Sequence, residues 1–550
     1  MGDFYVDAND LRRDDQADGE ECPSSNHPIN LVNGNKYKIH TDIPGDLEGS
    51  SLKRPAFTRT YNSQNVRSAP SEIGLNWLHN YQRTLTRSNV YRSGVNQNVG
   101  ERFVPAQSST YTTAAQACID GFNELVTNAA SYPSVFGSHN RLKNGMAHWD
   151  FNSNCEIRDA NGRYITTIPI KSHFAGSSGG DLTRWVKLLR PDGDEYRFRR
   201  DLLDNHQGSY TWQSESPGVR GVLQQLVNEE VIDGLPMLIT TYVFTDENDV
   251  KETYAYSGEL LKIEYPNELT ETLEYIDGRL DRVINDVGHS LQFTYTPIGR
   301  VHTVSDEAGR TWEYGYDTDG RLVTVINPDG TTKTYHYEDE NQATALTGLT
   351  DERDIRYSTF EYYPDGLAKS SYLGAPGALP ELRIDDVSLS YSNTFNTVTN
   401  SRGFASKYHF STDVLQGLVT QYDGPECAGC AGGSKSYDHD LDSLNLLGKT
   451  EYGQNIVFEN YDENGNPGNI TEAVASPEER ATSYTYDSRY RDKVETVTEP
   501  SVYASGNKLT TYTYDDFGNT TSITITGYRP DGTPVSRTQS FTYSGPYQQL

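Results

Sequence analysis

Four groups of residues in this sequence have types and spacings that could do chemistry. Cys427 and Cys430 form a Cys-x-x-Cys inside a glycine-rich run, Gly424-Pro425-Glu426-Cys427-Ala428-Gly429-Cys430-Ala431-Gly432-Gly433. A redox pair of this kind needs a helix N-terminus to lower the thiol pKa, and the surrounding glycines disfavour a helix. A zinc site normally takes four ligands from two pairs of Cys or His, and the nearest candidate, His439, supplies only a third. The other reading is a local disulfide between Cys427 and Cys430, or a reduced thiol pair, pinning a wide turn. With Cys22, Cys118 and Cys155 scattered, the five cysteines do not make a disulfide framework for a chain of 550 residues.

The other groups are acidic pairs and one histidine. Asp317 with Asp319, and Asp515 with Asp516, could serve as acid and base. Each pair stands within two residues of a glycine, in a hairpin-turn segment where solvated turn chemistry is the ordinary role. Asp317-Thr318-Asp319-Gly320 is also similar to the opening of an EF-hand loop, yet the later Glu that completes such a site is missing. His79, close to Trp77, reads as a hydrogen-bonded structural histidine, because no nucleophile or second ionisable partner stands at a suggestive spacing. No Ser-His-Asp motif, phosphate-cradling loop or HExxH occurs. The sequence therefore predicts no catalytic residue, no cofactor and no metal.

The elements that carry these residues repeat. Gly258, Gly278, Gly299 and Gly320 recur about every twenty residues, and such a period marks one supersecondary unit stacked on the next. In the last of these units Trp312, Tyr314 and Tyr316 alternate with polar or small residues, as a strand requires. Asp319-Gly320 then signals a hairpin turn, since Gly adopts positive φ at no steric cost. Leu322, Val323, Val325 and Ile326 make the return strand, and Asn327-Pro328-Asp329-Gly330 the next turn. A lone hairpin is marginal in water, so successive units must pair edge to edge into one long antiparallel sheet.

At this point the residues carry a family likeness. Tyr316-Asp317-Thr318-Asp319-Gly320-Arg321-Leu322, Tyr461-Asp462-Glu463-Asn464-Gly465-Asn466 and Tyr514-Asp515-Asp516-Phe517-Gly518-Asn519 resemble the tyrosine-aspartate (YD) repeats of Rhs proteins, teneurins and the BC components of insecticidal toxin complexes. The run from Pro28 to Lys36, Phe57-Thr58-Arg59-Thr60-Tyr61-Asn62-Ser63, and Gly74-Leu75-Asn76-Trp77-Leu78-His79-Asn80-Tyr81 are similar to the domain of unknown function that opens many Rhs shells. The resemblance implies an all-β fold in which YD-repeat β-hairpins form a long, curved antiparallel sheet, part of a hollow shell. Such a shell sequesters a C-terminal toxin for delivery, so the implied partners are a toxin cargo or a C-terminal polypeptide that completes the shell. A secretion-system spike or cell-surface glycans are further implied partners; the alternative function is a cell-surface YD-repeat protein that binds glycans or neighbouring cells. Complete Rhs shells continue into a self-cleavage motif resembling DPxGLxDG and a toxin. Neither lies in these residues, so the sequence reads as a fragment, or as a part that needs another polypeptide.

Composition and charge fit a one-layer wall. Hydrophobic residues are only 35% of the chain, low for a solid core, whereas a sheet with one wet face needs fewer. Lys and Arg number 47 against 77 Asp and Glu, a net charge of −30 that repels nucleic acid and anionic lipid. No apolar run is long enough for a membrane span, and residues 1–21 lack the apolar core of a Sec signal peptide. The expected location is secreted or at the cell surface, by dedicated export or with the leader truncated. The expected divisions are a disordered segment over 1–25, an Rhs-associated domain over 26–175, a connecting set of strands over 176–240 and the repeat sheet over 241–550. Residues 112–127, with Ala115, Cys118, Ile119, Phe122, Leu125 and Val126 at three- and four-residue steps, predict a short helical insertion.

Overall fold

Alternation along each strand sends every second side chain to the same face, and this chain uses that rule on an unusual scale. The computed structural model describes residues 29–31, 34–45, 54–64, 71–88, 185–199, 209–216, 218–232, 235–379, 383–411, 418–424, 433–441, 443–451, 453–503 and 506–543. Between 102 and 172 it describes the backbone of five short strands: Arg102–Val104, Met146–Trp149, Cys155–Arg158, Tyr164–Ile168 and Ile170–Ser172. The expected helix at 112–127, the pair Cys427 and Cys430, and residues 1–25 lie outside the described residues. Among the described residues there is no helix.

One antiparallel sheet of 31 strands organises the molecule. Its first strand, Leu85–Ser88, pairs with Trp185–Leu189, and from there each strand pairs with the next in sequence as far as Pro534–Ser540. Just before the first strand, Thr84 bridges Glu259, so the early part of the sheet closes on itself. A later closure follows the same logic. Leu444, fully buried with φ 58°, packs at Gly218, while the Arg491 N–H donates to the Asp249 carboxylate at 3.3 Å.

The two faces differ in chemistry. Cross-strand partners Phe293 and Val304, Tyr314 and Val325, and Tyr335 and Leu349 share one face and are almost completely buried. The opposite face carries hydroxyl pairs across strands, such as Thr294 with Thr303 at 2.7 Å and Thr524 with Thr538 at 2.9 Å.

A separate three-stranded sheet, Tyr37–Ile43, Phe57–Asn62 and Trp77–His79, covers the apolar face. Phe57, Tyr61 and Trp77 are fully buried against it. The Phe57 ring lies 5.7 Å from Phe293 and 5.8 Å from Tyr314, and Trp77 lies 5.1 Å from Tyr335 in an edge-on arrangement. Trp77 reaches this position because the preceding turn bends sharply, with Gly74 at φ 111° and Asn76 at φ 63°.

Candidate functional site

The repeat turn is the unit from which the site is built. In the Asp317 turn, the Gly320 N–H donates to the Asp317 carbonyl at 3.1 Å, and the Asp317 N–H donates to the Arg321 carbonyl at 3.1 Å. The Asp317 carboxylate accepts from the Asp319 and Arg321 N–H groups at 3.1 and 2.9 Å, and from Arg321 Nε at 2.6 Å. Partial burial opposes ionisation of Asp317, but these donors outweigh it and hold the carboxyl below its ordinary range. Asp515 repeats the arrangement, accepting from the Phe517 and Asn519 N–H groups at 3.0 and 2.9 Å. The carboxylates of Asp317 and Asp515 are therefore occupied in shaping turns.

Gly258, Gly278, Gly299 and Gly320 all have positive φ, at 110°, 75°, 83° and 84°. The turns are not all alike. Asp277 also has positive φ, at 51°, and Ile276 pairs directly with Arg279, so Gly278 closes a tight two-residue turn. Asp319 has no such φ, and the Gly320 turn is longer, with a register shift at Tyr316.

The repeated tyrosine stitches one hairpin to the one before it. The Tyr275 hydroxyl donates to the Leu260 carbonyl and that of Tyr295 to the Leu280 carbonyl, both at 2.8 Å. Tyr316 donates to the Val301 carbonyl at 2.7 Å, and far along the chain Tyr514 donates to that of Val494 at 2.6 Å. The arginine after each turn adds a second tie: Arg279 lies over Tyr295, Arg300 over Tyr316 and Arg321 over Tyr337, at 5.6, 5.4 and 5.4 Å. A side chain at Gly320 would strike the Arg300 guanidinium, so this glycine also leaves room for its neighbour's arginine. These ties were not anticipated from the sequence, although the arginine one unit ahead of each tyrosine was the visible signal.

Two clusters of buried charged groups lie where the N-terminal residues meet the repeats. The Arg59 guanidinium donates to Asp42 at 2.5 and 2.8 Å and to the Tyr335 hydroxyl at 2.8 Å, ringed by Trp77, Tyr314 and Tyr335. Glu252 takes ion pairs from Arg83 and, at 2.5 Å, from Arg190, and accepts from the Tyr254 hydroxyl at 2.5 Å. Burial alone would raise the Glu252 carboxyl; the two guanidiniums prevail and hold it at about 2. These clusters join residues far apart in sequence, so no local pattern announced them.

His79 is buried between Phe57 and Phe293, with Nε2 3.5 Å from a Glu72 carboxylate oxygen. His439 is also buried, and neither ring nitrogen has a hydrogen-bond partner among the described residues. Among the described residues, no group of three or more His, Cys, Asp or Glu is placed to hold a metal.

The apolar face changes character along the sheet. Up to Asn396, whose side-chain amide donates to the Leu31 carbonyl at 2.7 Å, the N-terminal sheet lies against it. Beyond that point the register carries the same face through Tyr408, Tyr422, Tyr437, Ile456, Ile470, Tyr484, Val497, Tyr512 and Ile523. These side chains are half-buried, and the same face carries ion pairs between them, Lys435 and Lys449 with Glu451, and Arg480 and Lys508 with Glu499, so the wall is tyrosine and aliphatic groups interleaved with paired charges.

Residues 295–332 and 316–356 match the RHS Repeat family, and residues 26–101 match a domain of unknown function, DUF6531. No curated protein matches. Among solved structures, the chain is similar to TcdB2-TccC3 without its hypervariable C-terminal region, at 13% identity over 96% of this chain and 28% of that one, with a TM-score of 0.31. It is similar to a Tc holotoxin pore of Photorhabdus luminescens at 12% identity over 93% of this chain and 33% of that one, with a TM-score of 0.31. A crystal structure of TcdB2-TccC3-TEV gives 12% identity over 66% of this chain and 26% of that one, with a TM-score of 0.30. The chain thus spans no more than a third of the length of these proteins. With repeat units that match at the Asp317 turn and an opening module that matches at Trp77, this chain carries RHS repeats over 295–356 and an N-terminal domain of unknown function over 26–101.

Proposed function

We propose that this chain is a non-enzymatic wall segment of a shell that sequesters a polypeptide, in the manner of an Rhs-type polymorphic toxin. The observation that carries the reading is the asymmetry of the apolar face: the N-terminal sheet closes its first part, and the part from Tyr408 to Ile523 offers half-buried tyrosine and aliphatic side chains between charges that pair with one another. Such a surface suits an unfolded chain, because aromatic rings give contact area to apolar groups while their hydroxyls satisfy stray backbone polar groups. The family match supports it, and the turn carboxylates have structural work already. The toxin, a shell-completing polypeptide and a secreted or cell-surface location belong to this proposal.

The test is protease protection. When the protein is purified from its own cells, a second polypeptide is expected to travel with it, resist protease while the sheet is folded, and be digested once the sheet is unfolded. An empty particle that is instead retained on a glycan array would reject sequestration in favour of a surface-binding role.

A further inference from the structure

Near-identical hairpins create a problem that their own chemistry does not solve. Each repeat offers the same tyrosine stitch and alternating strands around a related turn, so, although short turns fix which strands pair, the N-terminal module could dock one unit out of place at little cost to the repeats themselves. Slippage of the module by one unit along the sheet would leave the contacts within the repeats in place. Something without the period must choose the register.

The N-terminal module has no such period, and it touches the hairpins one after another with a different chemistry each time. The hairpin of strands Lys251–Ala255 and Leu260–Glu264 receives the Arg83 ion pair at Glu252 and a backbone bond from Leu85 to Gly258 at 2.9 Å. The next receives the Tyr81 hydroxyl on Glu271 at 3.1 Å, and the one after it a backbone bond from Val301 to Glu72 at 2.7 Å. Tyr314 then donates to Asp42 at 2.9 Å, and Tyr335 accepts from Arg59. The Trp77 indole donates to Tyr337 at 3.0 Å, and the Tyr61 hydroxyl accepts from the Leu346 N–H at 2.8 Å. Finally Ala368 donates to the Gly34 carbonyl at 2.9 Å, and Asn396 to that of Leu31.

From this succession we infer that the N-terminal module is a register template: formed early, it selects which hairpin docks at each station and so directs the winding of the repeats from Lys251 to Thr399. A misplaced hairpin would leave a buried partner such as Arg83 or the Trp77 indole unsatisfied, a far larger cost than any difference between repeats. Station contacts are then present in the folding transition state, whereas the tyrosine stitches between later repeats form after it.

Refolding of the full chain, followed by pulsed hydrogen exchange and mass spectrometry, tests this. Tyr81→Phe and Trp77→Phe each remove one station donor and keep the ring volume or most of it. Both are expected to slow protection of the strands over 251–399 by roughly five- to tenfold, with unfolding rates nearly unchanged. Tyr514→Phe, which removes a stitch between repeats, is expected to speed unfolding and leave refolding alone. If the module variants act mainly on unfolding, as an ordinary packing role requires, the template is rejected. Should refolding from denaturant be incomplete, the same pulse applied to chains emerging from cell-free synthesis makes the same comparison. The inference does not depend on cargo, and an empty shell would leave it intact.

Discussion

Replacing Gly258 with alanine is expected to cost about 3 kcal/mol or more, the largest effect of any single methyl group at the repeat turns. Two causes combine. The residue holds φ at 110°, a conformation that L side chains rarely adopt, and a Cβ there would sit 2.0 Å from the backbone carbonyl oxygen of Leu85. Backbone cannot swing aside as a flexible side chain can. The seam must open, with loss of the Leu85 to Gly258 hydrogen bond and of the Thr84 to Glu259 bridge. Gly309 provides the comparison, since its φ is 77° and a Cβ there meets nothing within 4 Å. Gly309→Ala is expected to cost only about 1 kcal/mol, the conformational term alone. Melting temperature and hydrogen exchange over 84–88 and 251–264 separate the two: only the Gly258 variant should lose protection there.

Replacing Glu252 with glutamine is expected to destabilise the protein by about 3–5 kcal/mol, because Arg83 and Arg190 would remain buried without a counter-charge. The wild-type pH response follows from the same cluster. The folded Glu252 carboxyl lies at about 2, below its ordinary 4.5, so its contribution is fully present above 4.5 and is lost as pH falls towards 2. Glu271 works in the other direction. Burial raises its carboxyl, despite hydrogen bonds from Tyr81 and Tyr265, so its contribution is present at low pH and is lost as pH rises through the folded value. Glu252→Gln should therefore unfold at lower denaturant near neutrality and lose less of its remaining stability between pH 4.5 and 2. An equal acid response in the two proteins would show that Glu252 is not the group concerned.

The sheet was legible in the sequence because its signals are local. Trp312, Tyr314 and Tyr316 declare a strand by alternation, and Gly320 declares a turn by its place between two such runs. The period of these signals then dictates edge-to-edge pairing. Legibility fails where contacts have no period. Arg59 and Tyr335 meet across 276 residues, and Tyr81 and Glu271 across 190; nothing near either residue specifies the other. The tyrosine stitch is an intermediate case. Tyr316 was visible as a repeated residue, but its acceptor, the Val301 carbonyl, belongs to backbone, and every residue type carries one. The period of the turn glycines does not reveal which turn each one closes, for a related reason. Gly278 sits in a two-residue turn because Asp277 tolerates positive φ, a property that several residue types share.

The N-terminal module closes one face of this sheet over its first part, and the same face is expected to be accessible over its second. Covalent labelling of tyrosine in the native protein, read out by mass spectrometry, distinguishes the two parts. Tyr314 and Tyr335 should resist labelling, while Tyr437 and Tyr512, on the same face further along, should be modified readily in protein stripped of any passenger. Equal labelling of all four would show that the face is not divided in this way.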